Sequence, residues 1–169
     1  MGPGLSPLSN PDDSYYAYFD PSSTDSGQHT FNMLRDYLRD QGLFDGVIGF
    51  SQGACLAVAY IAAGERLGLS RQIHPSFKCA VFISSMSVPD AVAFNLRGEI
   101  RLIDPGIDGE LIRIPTVHIW GAEHVYSKHC YTVRRICDQQ TVSSFIHGGG
   151  HEVPGSGAQE AVIETVKAL

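Results

Sequence analysis

The fold of this chain is decided by one stretch of its sequence, Phe44-Asp45-Gly46-Val47-Ile48-Gly49-Phe50-Ser51-Gln52-Gly53-Ala54-Cys55-Leu56-Ala57. Val47 and Ile48 are apolar and β-branched, which is typical of a short strand covered on both faces of a parallel sheet. Residues 54–63 contain no helix breaker and predict a helix that runs to about Leu67. The stretch therefore predicts a strand, a tight turn and a helix, with Ser51 at the tip of the turn.

Residues 49–53 fit the pattern Gly-x-Ser-x-Gly, in which a serine lies on a strained turn between a strand and a helix. The flanking glycines let neighbouring backbone pass close to Ser51, and the N-terminus of the following helix favours developing negative charge. The alternative is an ordinary strand-to-helix turn with an incidental serine. The strand before the pattern and the helix after it favour a nucleophilic Ser51.

Length, composition and charge limit the class of protein. A chain of 169 residues, 43% hydrophobic and 18% charged, predicts a single soluble globular domain. The net charge of -6 and the lack of a Lys/Arg cluster argue against a nucleic-acid partner. No apolar run reaches the roughly 18 residues of a membrane span. The first residues lack the form of a signal peptide, so we expect a cytoplasmic protein.

Apolar periodicity divides the chain into alternating helices and strands. Residues 1–14 are rich in Pro, Gly, Ser and Asn and predict a flexible arm, which leaves one domain over residues 15–169. The segment 85–114 lacks clear periodicity and is expected to form a lid or a pocket wall. The succession predicts a parallel α/β sheet wrapped by helices. Besides the strand before Ser51 and its helix, the predicted elements are a helix at 29–41, strands at 77–84, 116–120 and 142–146, a helix at 127–138, and a last helix from about residue 158.

Three polar residues follow the carboxyl ends of predicted strands, where open α/β sheets bind their ligands: Ser51, Glu123 and His151. A serine hydroxyl needs a base within hydrogen-bond reach, and His151 is the first choice, with His147 as the alternative. His147 and His151 also have a spacing of metal ligands on a helix. The glycines at 148–150 disfavour a helix there, so we expect no metal at these histidines. The sequence has no nucleotide-binding glycine pattern, haem motif or zinc cluster, so we also expect no cofactor.

The third partner of a catalytic serine is a carboxylate that orients the histidine. The chain order in this architecture is serine, acid, histidine, and Glu123 is the carboxylate of the loop after the third strand. The alternative for Glu123 is a solvated loop charge. Asp138 and Glu152 are weaker candidates for the acid, since Glu152 falls on the wrong side of the chain order. The backbone N–H of Gln52 is the predicted oxyanion donor.

Two segments resemble a known family, residues 44–54 and the run Gly149-Gly150-His151-Glu152-Val153-Pro154. Both are similar to the fungal family of small serine hydrolases, an α/β-hydrolase group related to the human ovarian-cancer-associated serine hydrolase. Tyr18, Phe19 and the helix after them also resemble the approach to that family's nucleophile strand. The resemblance covers about residues 15–169. It implies an α/β-hydrolase fold and a serine esterase or thioesterase, and some fungal members release polyketides from an acyl carrier protein.

The chain departs from this family in two places. The family begins with a strand and a His-Gly loop that this sequence lacks. We therefore expect a partial domain without its N-terminal strands, without one oxyanion donor, and with an exposed sheet edge open to pairing with another chain. The family's acid is usually an aspartate three residues after the glycine that ends its strand, and this position is His124 here.

These observations lead to two hypotheses about function. The first is a hydrolase that cleaves a small-molecule acyl ester or a carrier-protein thioester, with the acyl group against segment 85–114 and the aromatic run 15–19. The second is a catalytically impaired fragment or pseudoenzyme that acts as a binding module. Under either hypothesis, a homodimer through the exposed sheet edge is a further expectation.

Overall fold

The computed structural model describes residues 16–69 and 76–155, together with residues 163, 165 and 167. The predicted arm at 1–14 lies outside the described residues, as does most of the predicted last helix. The three described residues near the C-terminus are helical. The division of the chain into an arm and one domain stays a prediction.

Four parallel strands form one sheet in the order β1 (Gly46–Phe50), β2 (Cys79–Ile83), β3 (Thr116–Gly121) and β4 (Val142–His147). Phe50 is in register with Ile83, which is in register with Ile119. Gly121 is in register with His147 at the far side of the sheet. All the carboxyl ends therefore lie along one edge, and the predicted parallel α/β fold is confirmed.

Five helices accompany the sheet in the described part of the chain: α1 (Thr24–Gln41), α2 (Gln52–Leu67), α3 (Ala91–Arg97), α4 (Pro105–Asp108) and α5 (Ser127–Arg135). The helix α1 begins earlier than predicted, because the Ser23 side chain accepts a hydrogen bond from the Ser26 N–H and caps its N-terminus. The helix α5 ends before the predicted boundary. No helix in the described ranges is both long and apolar enough to cross a membrane.

The main core lies between α2 and one face of the sheet. The helix α2 is apolar on most sides, and Val58 and Tyr60 at its centre are fully buried. They belong to one cluster with Phe31 of α1, Phe82 of β2 and Ile112. Each such side chain contributes roughly 1.5–3 kcal/mol by leaving water. A second cluster lies on the opposite face of the sheet and consists of Val81, Ile83, Val117 and Ile119.

Segment 85–114 is more ordered than its sequence suggests, since it contains both α3 and α4. Asp90, which is 1% exposed, caps α3 by accepting hydrogen bonds from the first N–H groups of that helix. The same carboxylate forms ion pairs with Arg66 of α2 at 2.8 Å and with Arg101 at 2.6 Å. The segment is therefore fastened to α2, while its role as a lid stays a prediction.

The strand β1 is the exposed edge of the sheet rather than a strand covered on both faces. Among the described strands it pairs with β2 alone. The side chain of Ile48 is 74% exposed and that of Phe50 is 38% exposed. The aromatic run before α1 is also less packed than expected, since Tyr16 and Tyr18 are exposed. The expectation of a strand covered on both faces was wrong, and the expectation of an exposed edge holds for the described residues.

Candidate active site

Ser51 lies on a strained turn at the carboxyl end of β1. Its φ of 53° and ψ of -119° are rare for a residue with a side chain, a strain of about 1–3 kcal/mol. The Ser51 N–H donates to the Ile83 carbonyl at 2.9 Å, which holds the turn against β2. A Cβ at Gly49 would lie 2.6 Å from Cα of Ala54, so only glycine permits α2 to start this close to the strand. The turn therefore has the geometry that the Gly-x-Ser-x-Gly pattern predicts.

Gln52 is the first residue of α2, so its N–H is one of the helix's free donors, as an oxyanion contact requires. Its side chain also forms two hydrogen bonds that the sequence did not predict. The amide oxygen accepts from the Tyr18 N–H at 2.6 Å, and the amide nitrogen donates to the Phe19 carbonyl at 2.8 Å. Gln52 thus fastens the segment before α1 to the start of α2.

His151 lies beside Ser51, although the two residues are far apart in the sequence. Its Nε2 is 2.9 Å from the Ser51 Oγ, and its ring centroid is 5.1 Å from that of Phe50. Burial lowers the pKa of the His151 imidazole below its ordinary value. This shift favours the neutral ring, which can accept a proton from the serine hydroxyl.

Close contact between two backbones brings His151 to this place. A Cβ at Gly121 would overlap the Gly149 carbonyl, so the glycine at the end of β3 lets loop 147–151 approach. The Ala122 N–H donates to the His147 carbonyl at 2.7 Å, and the Glu123 N–H donates to the Gly149 carbonyl at 3.0 Å. These bonds fix the loop that carries the histidine against the turn after β3.

The structure does not bring Glu123 to His151. Glu123 is exposed, whereas the neighbouring His124 is 3% exposed and places its Nε2 3.4 Å from the Nδ1 of His151. The turn closed by the His124 N–H on the Gly121 carbonyl directs one of these adjacent side chains inward and the other to solvent. The assignment of Glu123 as the acid is therefore not supported by this geometry. The spacing of three residues from Gly121 was the available signal for His124.

Among the described contacts, Ser51 makes none with the other candidates from the sequence. Asp138 belongs to the turn before β4, at the opposite end of the sheet, where its Oδ1 accepts from the Gln140 N–H. Glu152 is exposed, and the His147 Nδ1 accepts from the Gly149 N–H at 3.1 Å. Within the described ranges, no group of three or more His, Cys, Asp or Glu residues is placed to hold a metal ion.

A narrow apolar pocket lies one turn along α2 from Ser51. The Met86 sulfur is 3.9 Å from the Ser51 Oγ, and the Met86 N–H donates to the Cys55 Sγ at 3.2 Å. Cys55 also lines the pocket. Burial raises the pKa of the Cys55 thiol to about 11, so it stays protonated at neutral pH. The other pocket walls come from the segment before α1, from α2 and from segment 85–114, and include Phe19, Leu56, Ala59, Phe94 and Ile100.

Several relatives are similar in sequence over most of this chain. It is 31% identical over 153 residues to "Esterase FPY3" of Fusarium mangiferae, which covers 90% of this chain and 67% of that protein. It is 30% identical over 152 residues to "Family of serine hydrolases 3" of Saccharomyces cerevisiae, with coverages of 85% and 53%. For "Esterase OVCA2" of Bos taurus the identity is 26%, with coverages of 87% and 59%. The chain thus spans about half to two thirds of the length of the relatives it matches.

Solved structures with a similar fold include esterases. The chain superposes on the structure titled "Structure of YahD with Malic acid" with a TM-score of 0.53, 14% identity, and coverages of 96% of this chain and 70% of that one. For "Crystal structure of esterase PE8" the TM-score is 0.52 and the identity 21%, with coverages of 86% and 63%. At these identities the similarity shows the α/β-hydrolase fold alone.

The family match agrees with the motifs around Ser51 and His151. Residues 5–163 match the family described as "Serine hydrolase (FSH1)", which is most of the chain. The resemblance inferred from those motifs is therefore confirmed. The chain belongs to this serine hydrolase family, and its sheet and helices have the α/β-hydrolase architecture.

Proposed function

We propose that this protein is a serine esterase, with Ser51 as the nucleophile and His151 as the general base. The observation that carries the proposal is the 2.9 Å contact between the Ser51 Oγ and the His151 Nε2 at the carboxyl edge of the sheet. A neutral imidazole at hydrogen-bond distance is what a serine hydroxyl requires to become a nucleophile. The esterases among the relatives support the same reaction class.

The proposed reaction has two halves. The Ser51 Oγ forms a bond to the acyl carbon, its proton moves to the His151 Nε2, and the carbonyl electron pair moves onto the oxygen, which faces the Gln52 N–H. The carbonyl then re-forms as the bond between the acyl carbon and the leaving oxygen or sulfur breaks, and the protonated His151 gives its proton to the departing alcohol or thiol. In the second half, water attacks the acyl-enzyme by the same route and releases the acid.

The pocket beside α2 is the proposed site of the acyl group. Its walls are mainly apolar, and they combine Phe19 with residues of segment 85–114. Ala59 lies in the wall, so Ala59→Phe fills part of the space. This variant should lose activity on longer acyl chains and keep it on acetyl esters, whereas equal loss on both would argue against this pocket.

The finer substrate class is a further proposal. The resemblance to polyketide-releasing fungal hydrolases favours a carrier-protein thioester in the cytoplasm, and a simple carboxylic ester is the alternative. Rates on matched pairs of an aryl ester and an acyl thioester of N-acetylcysteamine separate the two. A clear preference for the thioester would support carrier-protein release, and a preference for the ester would contradict it.

A binding module without catalysis is the second candidate function. Two observations favour it: the position of the family's acid holds His124, and β1 presents an edge with the exposed Ile48. Such an edge offers unpaired backbone groups to a second copy or another chain. Light scattering of purified protein that shows a monomer at micromolar concentration would exclude a stable homodimer through this edge.

Hydrolysis of p-nitrophenyl esters tests the proposed function. Wild-type protein should hydrolyse them, and Ser51→Ala and His151→Ala should reduce kcat by at least about 10³-fold. Ser144→Ala is the matched control, because Ser144 is an exposed residue of β4. Folded wild-type protein without hydrolysis, or with hydrolysis equal to that of Ser51→Ala, would overturn the proposal in favour of the binding module.

A further inference from the structure

We propose that His124 is a positioning residue that stands in the place of the triad carboxylate. Its imidazole accepts a hydrogen bond from the Nδ1 of His151, and this leaves the Nε2 of His151 free to take the Ser51 proton. The inference rests on the proposed hydrolase function. It assigns to a second histidine the role that the sequence analysis gave to Glu123.

Three side chains form a row at the carboxyl edge of the sheet. On one side of the His151 ring, Nε2 lies 2.9 Å from the Ser51 Oγ, and on the other side Nδ1 lies 3.4 Å from the His124 Nε2. The centroids of the two imidazole rings are 4.7 Å apart. His124 is 3% exposed, so its polar atoms depend on partners within the protein.

The chemistry of a neutral imidazole requires one particular arrangement of protons. Each ring carries its proton on one of two nitrogens, and the partner of one nitrogen determines the state of the other. For His151 to accept at Nε2, its proton has to lie on Nδ1, which faces His124. His124 can accept this bond only at an unprotonated Nε2, so its own proton has to lie on Nδ1.

The backbone of Ser84 is a further partner of the His124 ring. His124 forms a hydrogen bond with the Ser84 backbone that acts to raise the pKa of its ring, so the ring donates and the Ser84 carbonyl accepts. We assign the donor to Nδ1, because Nε2 faces His151. Ser84 is fully buried with a φ of 47°, a strained conformation of the kind found at functional sites. The Tyr126 N–H approaches the same Nδ1 at 3.4 Å, which equals the His151–His124 distance. A hydrogen bond from Tyr126 requires the opposite tautomer of His124, with Nδ1 unprotonated, so the ring spectra described below distinguish the two arrangements.

The charges around the pair differ from those of a triad with a carboxylate. Burial is the first cause of the lowered pKa of His124, and the proximity of His151 is the second. Burial also lowers the pKa of His151, with no carboxylate among the causes. The titratable groups of the adjoining elements are His147 at the end of β4, His129 and Tyr126 at α5, and the exposed Glu123 and Glu152 in the loops.

His124 orients the His151 ring but supplies no negative charge to balance the imidazolium that forms during the reaction. When the Ser51 proton reaches the His151 Nε2, the resulting imidazolium keeps its Nδ1 hydrogen bond to His124. A neutral acceptor offsets less of the positive charge than a carboxylate does, so it lowers the barrier less. The same lack of a carboxylate keeps His151 unprotonated to lower pH. We therefore expect the midpoint of the acid limb, in the pH profile of kcat/KM, to lie below the ordinary histidine pKa of about 6.5.

Three variants of His124 test the proposal by their pH profiles and rates. His124→Gln places a carbonyl oxygen near the position of Nε2 and should keep kcat within about tenfold, whereas His124→Met removes the acceptor and should lower kcat by about 10²-fold with KM little changed. His124→Asp supplies a charge that favours the imidazolium, so the acid limb should move up by about one pH unit or more. Equal rates for His124→Met and wild type, or an unmoved acid limb in His124→Asp, would overturn the proposal.

The tautomers can be measured in the wild-type protein without any turnover. Long-range proton–nitrogen correlation spectra of the histidine rings at pH 7.5 should show the proton of both His151 and His124 on Nδ1. A His151 ring protonated at Nε2 would overturn the proposal, whatever the variants do. The two proposals fail separately: an active protein that needs Ser51 but not His124 refutes this inference alone, and a folded protein with the expected tautomers but no hydrolysis refutes the hydrolase alone.

Discussion

The turns after β1 and β3 both depend on a glycine at the end of the strand that lets another part of the backbone approach closely. The sequence predicted the functional side chain correctly in only one of them. At Gly49 the missing side chain lets α2 start against the strand, and at Gly121 it lets loop 147–151 approach. The first turn presents the predicted Ser51. The second presents His124 where Glu123 was expected. Glycine spacing thus predicts where a backbone goes, whereas the choice between adjacent side chains depends on contacts with distant residues.

The largest effect is expected at the second turn, in Gly121→Ala. The added methyl overlaps the Gly149 carbonyl, so the loop that carries His151 has to move. A shift of about 1 Å costs roughly 10²-fold in kcat, measured by ester hydrolysis. Gly148→Ala is the matched control, because a Cβ there meets no atom within 4 Å. Equal losses in both variants would show that the close approach at Gly121 is not the determinant.

The first turn gives the next largest effect, in Gly49→Ala. The new Cβ would lie 2.6 Å from Cα of Ala54, and we expect a loss of about 1–3 kcal/mol in the free energy of unfolding by urea. At Gly53 the Cβ would meet only the Tyr18 ring at 3.5 Å, within a helix that favours alanine. Gly53→Ala should therefore stay within about 1 kcal/mol of wild type. A Gly49→Ala protein as stable as Gly53→Ala would contradict this account.

The next effect concerns His118, a buried histidine of β3 that lies outside the candidate active site. It should make the free energy of unfolding depend on pH. Burial lowers the pKa of His118 to about 3. Between that value and the unfolded pKa of about 6.5, the unfolded chain binds a proton that the folded chain does not. The contribution of His118 to stability is therefore complete above pH 6.5 and is lost as the pH falls, by about 1.4 kcal/mol per unit.

Urea unfolding between pH 7.5 and pH 5 measures this dependence. His118→Leu should show a shallower fall in the free energy of unfolding than wild type. The exposed His29 provides the control His29→Gln, which should match wild type. A fall of equal slope in His118→Leu and wild type would mean that His118 is not the group responsible.

The smallest effect is expected at Gln52, whose side-chain hydrogen bonds the sequence did not predict. Gln52→Ala removes the hydrogen bonds to the Tyr18 N–H and the Phe19 carbonyl, so we expect a loss of about 1 kcal/mol in stability. Hydrogen exchange at the Tyr18 amide should become faster. Gln140→Ala, at an exposed position, is the control. An unchanged Tyr18 exchange rate would contradict the role of Gln52 in holding this segment.

The sequence predicted those parts of the fold in which local pattern and tertiary packing agree. The strand, turn and helix around Ser51 and the position of β3 follow from apolar runs that end at a glycine, and β4 was predicted from the stretch 142–146. The start of α1 was missed because residues 20–28 are mostly polar and are typical of a turn. In the structure, Ser23 caps the helix, which begins at Thr24. The helices of segment 85–114 were missed because they are short and are capped by single side chains, α3 by the buried Asp90 and α4 by Asp104.

The exposure of β1 and the partner of His151 could not be predicted because neither is local. Val47 and Ile48 have the composition of a central strand, yet the exposure of Ile48 depends on whether a distant segment covers that face of the sheet. For His151, the sequence favoured a carboxylate by its chemistry. The turn at Gly121 instead buries the residue three positions on, His124.

The rate at which a fluorophosphonate labels Ser51 tests the central claim most directly, because it measures activation of the hydroxyl independently of any substrate. Peptide mapping identifies the labelled residue, and the second-order rate constant is compared between wild type and His151→Gln. We predict labelling at Ser51 alone, slowed by at least about 10²-fold in His151→Gln. Labelling at the same rate in both proteins, or no labelling of folded wild type, would contradict the account.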